Sequence, residues 1–516
     1  MRLRGAAPAG LLALGSLGAI LVLLPIATIL SQAAQVGSTE AGALLFRPLV
    51  GRLLRNTLEL VAASTLLAAA IGTATAWCVE RTRLPGRRAW AVLAAVPLAI
   101  PPFVTSYAWV SVSNALQDFA GALLVVTSAY YPLVYLPVAA ALRGMDPTLE
   151  ESARSLGHGP VRCFVRVVLP QLRPALLGGM LLVALNVLVE FGAFSLLRYR
   201  TFTTEIYAEY RTGFAGPGAA LLSAVLVLVC LLLLAGEASL RGRTRFARIG
   251  RFTGRRAIPY PLGRAAAPVL LGFALLVVLT TGVPLGMVAF WLTQPGVAAV
   301  TPSAVTAARL LHATMASIGF GAAAAALTVA LAVPLGFLGA RYPGRAVMAL
   351  ERTTFLAQGV PGIVVALALV SLTVQALRPL YQSAALLVVA YAILFLPLAL
   401  VSVRAAFAQA QRGLEEAARS LGLPWHEVFR RVLLPVAGPG LGAAAALVFV
   451  STVTELTTTL ILSPIGTRTL ATEVWVDTST LAFAAAAPYA ALMVTLSLLS
   501  TWLLVRRFGA AASVSA

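Results

Sequence analysis

Residues 150–170 read EESARSLGHGPVRCFVRVVLP and residues 415–435 read EEAARSLGLPWHEVFRRVLLP; these two stretches decide how the chain is organised. Twelve of the 21 aligned positions are identical, and Glu151 to Glu416, Gly157 to Gly422 and Pro170 to Pro435 are each 265 residues apart. Weaker echoes flank them, with Pro-Gly-Arg at 85–87 and 343–345 and Thr-Glu at 204–205 and 472–473. A duplication is the simplest account of self-similarity at a fixed period. Each copy reads as two short helices. Leu149–Leu156 and Leu414–Leu421 are helix-forming, with Glu150/Glu151 and Glu415/Glu416 in the first turn, where the helix dipole favours acids. Gly157 and Gly422 stand where a helix ends, free to take positive φ. Pro160 and Pro424 open a second helix. Phe164, Val167, Val168 and Phe429, Val432, Leu433 give it an apolar stripe, and Pro170 and Pro435 are expected to end it.

Around these stretches the chain is too apolar for a water-soluble protein. Of its 516 residues, 60% are hydrophobic and 11% charged, against about 45–50% and about 25% in soluble domains. Apolar runs of spanning length fall at 9–31, 56–79, 89–113, 121–142, 174–197 and 217–238. A second set falls at 266–292, 313–340, 352–376, 383–403, 439–463 and 484–505. The expected fold class is an all-α integral membrane protein of about 12 transmembrane helices. They form two six-helix halves, 1–240 and 265–516, joined by a basic linker at 241–264. The first run is long for the apolar core of a cleaved signal and reads as a helix. An even number of spans in each half makes the repeat parallel, with pseudo-twofold symmetry about the membrane normal and one gated passage expected near that axis.

The formal net charge is +20, and all 38 basic residues are arginine. Without lysine the chain lacks the GxxxxGK[ST] loop that cradles nucleotide phosphates. With the N-terminus inside, alternation of the spans places 29 Arg in inner segments and 9 in outer ones. The positive-inside rule thus accounts for the charge. No nucleic-acid partner is expected; the basic linker RGRTRFARIGRFTGRRA (241–257) rests against anionic lipid headgroups. Both termini and the polar loops 144–173 and 405–438 are expected in the cytoplasm of a multi-pass cell (inner) membrane protein. Cys78, Cys163 and Cys230 show no CxxC spacing, and His158, His312 and His426 no HExxH pattern, so neither a metal nor a cofactor is expected.

At the repeated loops the chain resembles the membrane subunits of binding-protein-dependent ABC importers, whose signature is a cytoplasmic loop of the form EAA---G---------I-LP. Here it stands twice, as ESA(RSL)G…VVLP at 151–170 and EAA(RSL)G…VLLP at 416–435. Ser152 replaces an Ala, and Val168 and Leu433 replace Ile. The resemblance implies a type I ABC importer permease fold, in which each loop is a coupling helix seated in a groove of an ATP-hydrolysing subunit. It places Glu151, Ala153 and Gly157, with Glu416, Ala417, Ala418 and Gly422, against a cytoplasmic ATP-binding subunit dimer. It also implies an extracytoplasmic solute-binding protein, and no catalytic residue in this chain. Fusion of both halves is similar to the ferric-iron and thiamine permeases, and residues 189–207 and 454–475 are nearer the ferric-iron branch. Ferric iron is the first expectation for the solute; thiamine or another small solute is the alternative. An ion-coupled secondary transporter is the rival of another kind, but such carriers have no need of a duplicated loop. An intramembrane enzyme finds no nucleophile–base pattern here.

Glu190 and Glu455 are also 265 apart. Each lies 16–20 residues beyond the prolines of its loop, about 24–30 Å along a helix and towards its outer end. An acid at such depth is costly unless it faces protein or water. Two readings stand: the pair flanks the outer translocation pathway and favours a cation, or each acid is hydrogen-bonded at a helix end. Glu205, Glu473 and Asp477 lie in outer loops and are candidates for meeting the binding protein. Pro101 and Pro361 interrupt the third helix of each half, either to bend it along a cavity or as a packing kink.

Overall fold

The computed structural model describes residues 8–212, 217–241, 259–294 and 305–513. Arg2, Arg4 and residues 242–258 of the basic linker lie outside the described residues. Helix dominates; a single bridge, Thr82 with Tyr260, is the one strand-like pairing among the described residues. Among the described residues, ten helices are long and apolar enough to cross a membrane. They are Ala9–Gln35, Pro48–Arg81, Phe119–Arg143, Pro160–Val189, Gly218–Glu237, Gly263–Leu292, Ala307–Arg341, Ala384–Gln409, Trp425–Val453 and Phe483–Leu503. Exposed Leu66, Leu232, Leu271 and Leu311 belong to faces that lipid covers.

The third element of each half, at 89–113 and 352–376, is broken where Pro101 and Pro361 were expected to interrupt it. Arg87–Ala99 and Pro102–Val112 meet at 93°, and Arg345–Gly359 and Gly362–Ala376 at 104°. Counting each bent pair as one span gives twelve. The cause is local. A proline pushes its predecessor out of helical conformation, and Ile100 (φ −102°, ψ 112°) and Val360 (φ −110°, ψ 112°) are both extended. Open backbone at membrane depth must be covered by protein, and both residues are buried. The carbonyls of Pro101 and Pro361 then start the next helix, accepting from the amides of Val104 and Val364.

The fifth spans differ from expectation. Instead of 174–197 and 439–463, they run as Pro160–Val189 and Trp425–Val453, continuous with the second arm of each repeated loop. Pro170 and Pro435 do not end a helix. A π-helical turn precedes each, at Phe164–Val168 and Phe429–Leu433, where the amides of Leu169 and Leu434 bond the carbonyls of Phe164 and Phe429 five residues back. That wider turn moves the preceding carbonyls off the proline ring and absorbs its missing N–H.

Packing divides the chain differently from the repeat. One compact unit comprises Met1–Leu44, Ile206–Val227 and Val300–Ala516, the other Leu45–Glu205 and Leu228–Ala299. The first helix of each half therefore packs in the unit built mainly from the other half. In the first unit, a Cβ on Gly18 would stand 3.0 Å from Leu396 Cδ2. In the second, Val79, Leu84 and Phe273 form one cluster, and the rings of Trp90 and Phe273 lie 5.5 Å apart. Helices in lipid associate through such close approach of small residues.

Candidate functional site

The two repeated loops share one local geometry. The helices Thr148–Ser155 and Arg412–Ser420 each end in a glycine of positive φ, +81° at Gly157 and +82° at Gly422. Gly157 donates to the Arg154 carbonyl and His158 to that of Ala153, at 2.9 and 3.1 Å. Gly422 donates to Arg419 and Leu423 to Ala418, at 3.0 and 3.2 Å. This pair of bonds is the Schellman motif, which satisfies the last carbonyls of a helix and reverses the chain. Open space surrounds both glycines, so conformation and not room selects the residue. The first helix is also capped by Asp146, whose Oδ1 accepts from the Thr148 amide at 3.0 Å and its hydroxyl at 2.8 Å. Those bonds hold the Asp146 carboxyl below the ordinary carboxylate range.

Each loop is fastened to the C-terminal end of the second spanning helix of its half. Arg81 pairs with Glu150 at 3.2 Å, and Arg341 with Glu415 at 3.2 Å. Arg81 and Arg341 are the last residues of helices Pro48–Arg81 and Ala307–Arg341. Four buried or nearly buried charges thus make two equivalent pairs. Arg341 also donates to the Ala410 carbonyl at 2.9 Å. Beside each pair an aromatic contact repeats: Trp77 on Phe164 at 4.8 Å and Phe337 on Phe429 at 6.3 Å between ring centres. Sequence reasoning singled out Glu151 and Glu416 and passed over Arg81, Glu150, Arg341 and Glu415 as fasteners. A signal existed, because Arg341 follows Arg81 by 260 and Glu415 follows Glu150 by 265.

The expected docking residues separate into two sets. Glu416, Ala417, Gly157 and Gly422 are exposed and Glu151 is half-buried. Ala153 and Ala418 are 7% and 6% exposed and pack into the chain's own body. The outer surface carries instead Leu156 and Leu421, 79% and 82% exposed, at equivalent positions. Both are large apolar side chains held outward on an otherwise polar loop.

The profile of the family described as binding-protein-dependent transport system inner membrane component matches residues 68–245 and again residues 332–507. The chain belongs to this family. The permease is 38% identical over 482 residues to the Fe(3+)-transport system permease protein FbpB 2 of Haemophilus influenzae, covering 93% of this chain and 95% of the relative. It is 27% identical over 244 residues to the sulfate transport system permease protein CysT of Escherichia coli, covering 43% of this chain and 88% of that one. The molybdenum transport system permease protein ModB of Escherichia coli is 29% identical over 173 residues, covering 30% of this chain and 73% of the relative.

At the far ends of the permease's fifth helices, Glu190 and Glu455 play one structural part. Glu190 Oε1 accepts from the Ala193 amide at 2.9 Å, and its Oε2 accepts from the Tyr130 hydroxyl at 2.8 Å. Glu455 Oε1 accepts from the Thr458 amide at 3.0 Å and the Thr458 hydroxyl at 2.9 Å. Each acid therefore caps the short helix that follows, Gly192–Leu196 or Thr457–Leu462, as side chains commonly do three residues ahead. Those short helices pack on Pro102–Val112 and Gly362–Ala376, the second limbs of the broken third elements. At Gly362 a Cβ would stand 2.8 Å from Thr458 Oγ1 and 3.0 Å from Glu455 Oε1, so a larger residue would have to displace the cap. Pro361, next to Gly362, sits at the bend that meets Glu455, and Pro101 holds the same place in the bend of the first half. Of the outer-loop acids, Glu473 pairs with Arg468 at 3.5 Å and is buried, as is Asp477; Glu205 is half-buried.

Proposed function

We propose that this permease imports ferric iron, presented by an extracytoplasmic solute-binding protein, with two ATP-hydrolysing subunits docked on its two coupling loops in the cytoplasm. The single observation that carries the docking is the repetition of one outward-facing geometry: Gly157 with Leu156, and Gly422 with Leu421, at matching exposure and matching φ. Glu151, Gly157, Glu416, Ala417 and Gly422 meet the ATPase subunits, while Ala153 and Ala418 seat the loops on the membrane body. Ferric iron is supported by the Haemophilus influenzae relative, which carries Fe(3+) transport in its name and matches nearly end to end. The sulfate and molybdenum relatives cover less than half of this chain. The arginine distribution supports cytoplasmic termini and loops in the inner cell membrane.

ATP chemistry resides in the partner; this chain turns a push on its loops into a change at its outer end. The loop's second arm, the π turn and the fifth helix are one continuous element of 30 residues in the first half, about 45 Å of helix. Displacement of the loop therefore moves Glu190 directly, and Glu455 in the second half. Their caps carry the motion into the short helices and the broken third elements at Pro101 and Pro361. Through this linkage the outer part of the translocation pathway opens or closes.

Glu190 and Glu455 also give that outer part its preference for cations. Replacing both by glutamine leaves an acceptor oxygen for each cap and removes the charge. Iron uptake is expected to fall about tenfold, the low end of what focused charge adds to cation capture, with ATPase binding unchanged. Unchanged uptake contradicts the pathway role. The reading as a whole is tested in liposomes holding the permease, its ATPase and the binding protein. Ferric iron on the binding protein stimulates ATP turnover; stimulation by thiamine, sulfate or molybdate and not by iron overturns the substrate.

A further inference from the structure

Among the described residues the first coupling loop has a fastening that the second does not show, and it comes from the connection between the halves. Tyr260 lies between two prolines in Pro259-Tyr260-Pro261, which biases it to extended backbone. Its amide donates to the Arg81 carbonyl at 2.8 Å, and its carbonyl accepts from the Arg83 amide at 2.9 Å. The strap thus closes over the C-terminal end of the second helix beside the Arg81–Glu150 pair. The Tyr260 side chain is buried, with the Arg154 guanidinium 4.4 Å from its ring centre and the Trp77 ring at 5.7 Å. Arg154 belongs to the coupling helix Thr148–Ser155, and Trp77 is the residue that holds Phe164 in the loop's second arm. One side chain therefore touches the spanning helix and the coupling helix together. Downstream, the strap is anchored by Gly263–Leu292, whose Phe273 packs with Val79 and Leu84.

At the second loop the equivalent helix-end carbonyl, that of Arg341, is served from within the loop. Arg412, at the start of the coupling helix Arg412–Ser420, donates to it at 3.4 Å. The position 265 earlier is Pro147, which has no amide hydrogen and no side-chain donor. What the second loop supplies itself, the first takes from Tyr260.

We propose that Tyr260 is a positioning residue for the first coupling loop, a strap lent by the connection between the repeats, so that the two ATPase docking sites are held unequally. This rests on the reading of the loops as ATPase docking sites. The test uses the full chain reconstituted with its ATPase and binding protein, carrying a photo-reactive side chain at either Ser155 or Ser420, both exposed. Tyr260→Ala is expected to lower cross-linking to the ATPase from position 155 about fivefold, within the range a lost cation–π contact gives. Cross-linking from position 420 stays at the parent level. Tyr260→Phe keeps the ring and the backbone bridge and restores position 155. Should Tyr260→Ala fail to accumulate, Tyr260→Leu keeps the apolar volume without the ring and is expected to show the same selective loss. In Tyr260→Ala or Tyr260→Leu, yields from the two positions that are both at the parent level or both reduced alike overturn the role of Tyr260. No cross-link from either position in the parent overturns instead the docking reading and the proposal with it.

Discussion

Arg81→Leu is expected to destabilise the permease by about 3–5 kcal/mol and to stop ATP-driven uptake. The Glu150 side chain is only 3% exposed, and its charge partner stands at 3.2 Å. Removing the arginine leaves a carboxylate that is neither hydrated nor paired, and the coupling helix must come away from the helix end to recover water. Replacing both members by leucine removes the stranded charge, so Arg81→Leu with Glu150→Leu is expected to melt near the parent, because apolar groups of similar size replace buried pairs at little cost. Uptake in the double variant tests whether the loop needs the ion pair itself or only a firm seat. Arg341→Leu is expected to cost less, since Glu415 is 15% exposed and can reach water. Thermal unfolding in detergent, run beside uptake in liposomes, decides the matter; equal stability of the single and double first-half variants contradicts the assignment.

Substituting Gly157 and Gly422 together by alanine is the second large expected effect. Both hold φ near +80°, where an L-residue pays roughly 1–2 kcal/mol. Since a Cβ meets nothing there, the penalty is wholly conformational, and it is relieved by unwinding the turn that presents Leu156 and Leu421. Turnover stimulated by loaded binding protein is expected to drop about tenfold or more, consistent with roughly 2–4 kcal/mol over two turns. Asparagine tolerates the left-handed region, so the matching Asn pair is expected to retain most of the activity. Equal loss in the Ala and Asn variants contradicts a conformational cause.

Much of this was legible in the residues. Glu151, Gly157 and their partners 265 positions on predicted paired helix-ending glycines, and Gly157 and Gly422 have the expected left-handed φ. Pro101 and Pro361 were legible as breaks, though not as bends near a right angle, because a proline fixes only its own φ and its neighbour's region. Pro170 and Pro435 misled: a proline reads as a stop, while the π turns at Phe164–Val168 and Phe429–Leu433 let the helix pass. The Arg81–Glu150 pair left only the faint signal of its repeat as Arg341 and Glu415, because its two residues lie on different elements. The packing of Ala9–Gln35 with the second half was hidden for another reason. Lipid is as apolar as leucine, so an apolar helix carries no sign of which neighbour it will choose.

A chain with two docking loops binds two ATPase subunits, which the stoichiometry of the complex reveals. Native mass measurement of the detergent-solubilised permease with its ATPase is predicted to give one permease chain bound to two ATPase subunits. A complex of one to one, or a permease that retains no ATPase at all, contradicts the account.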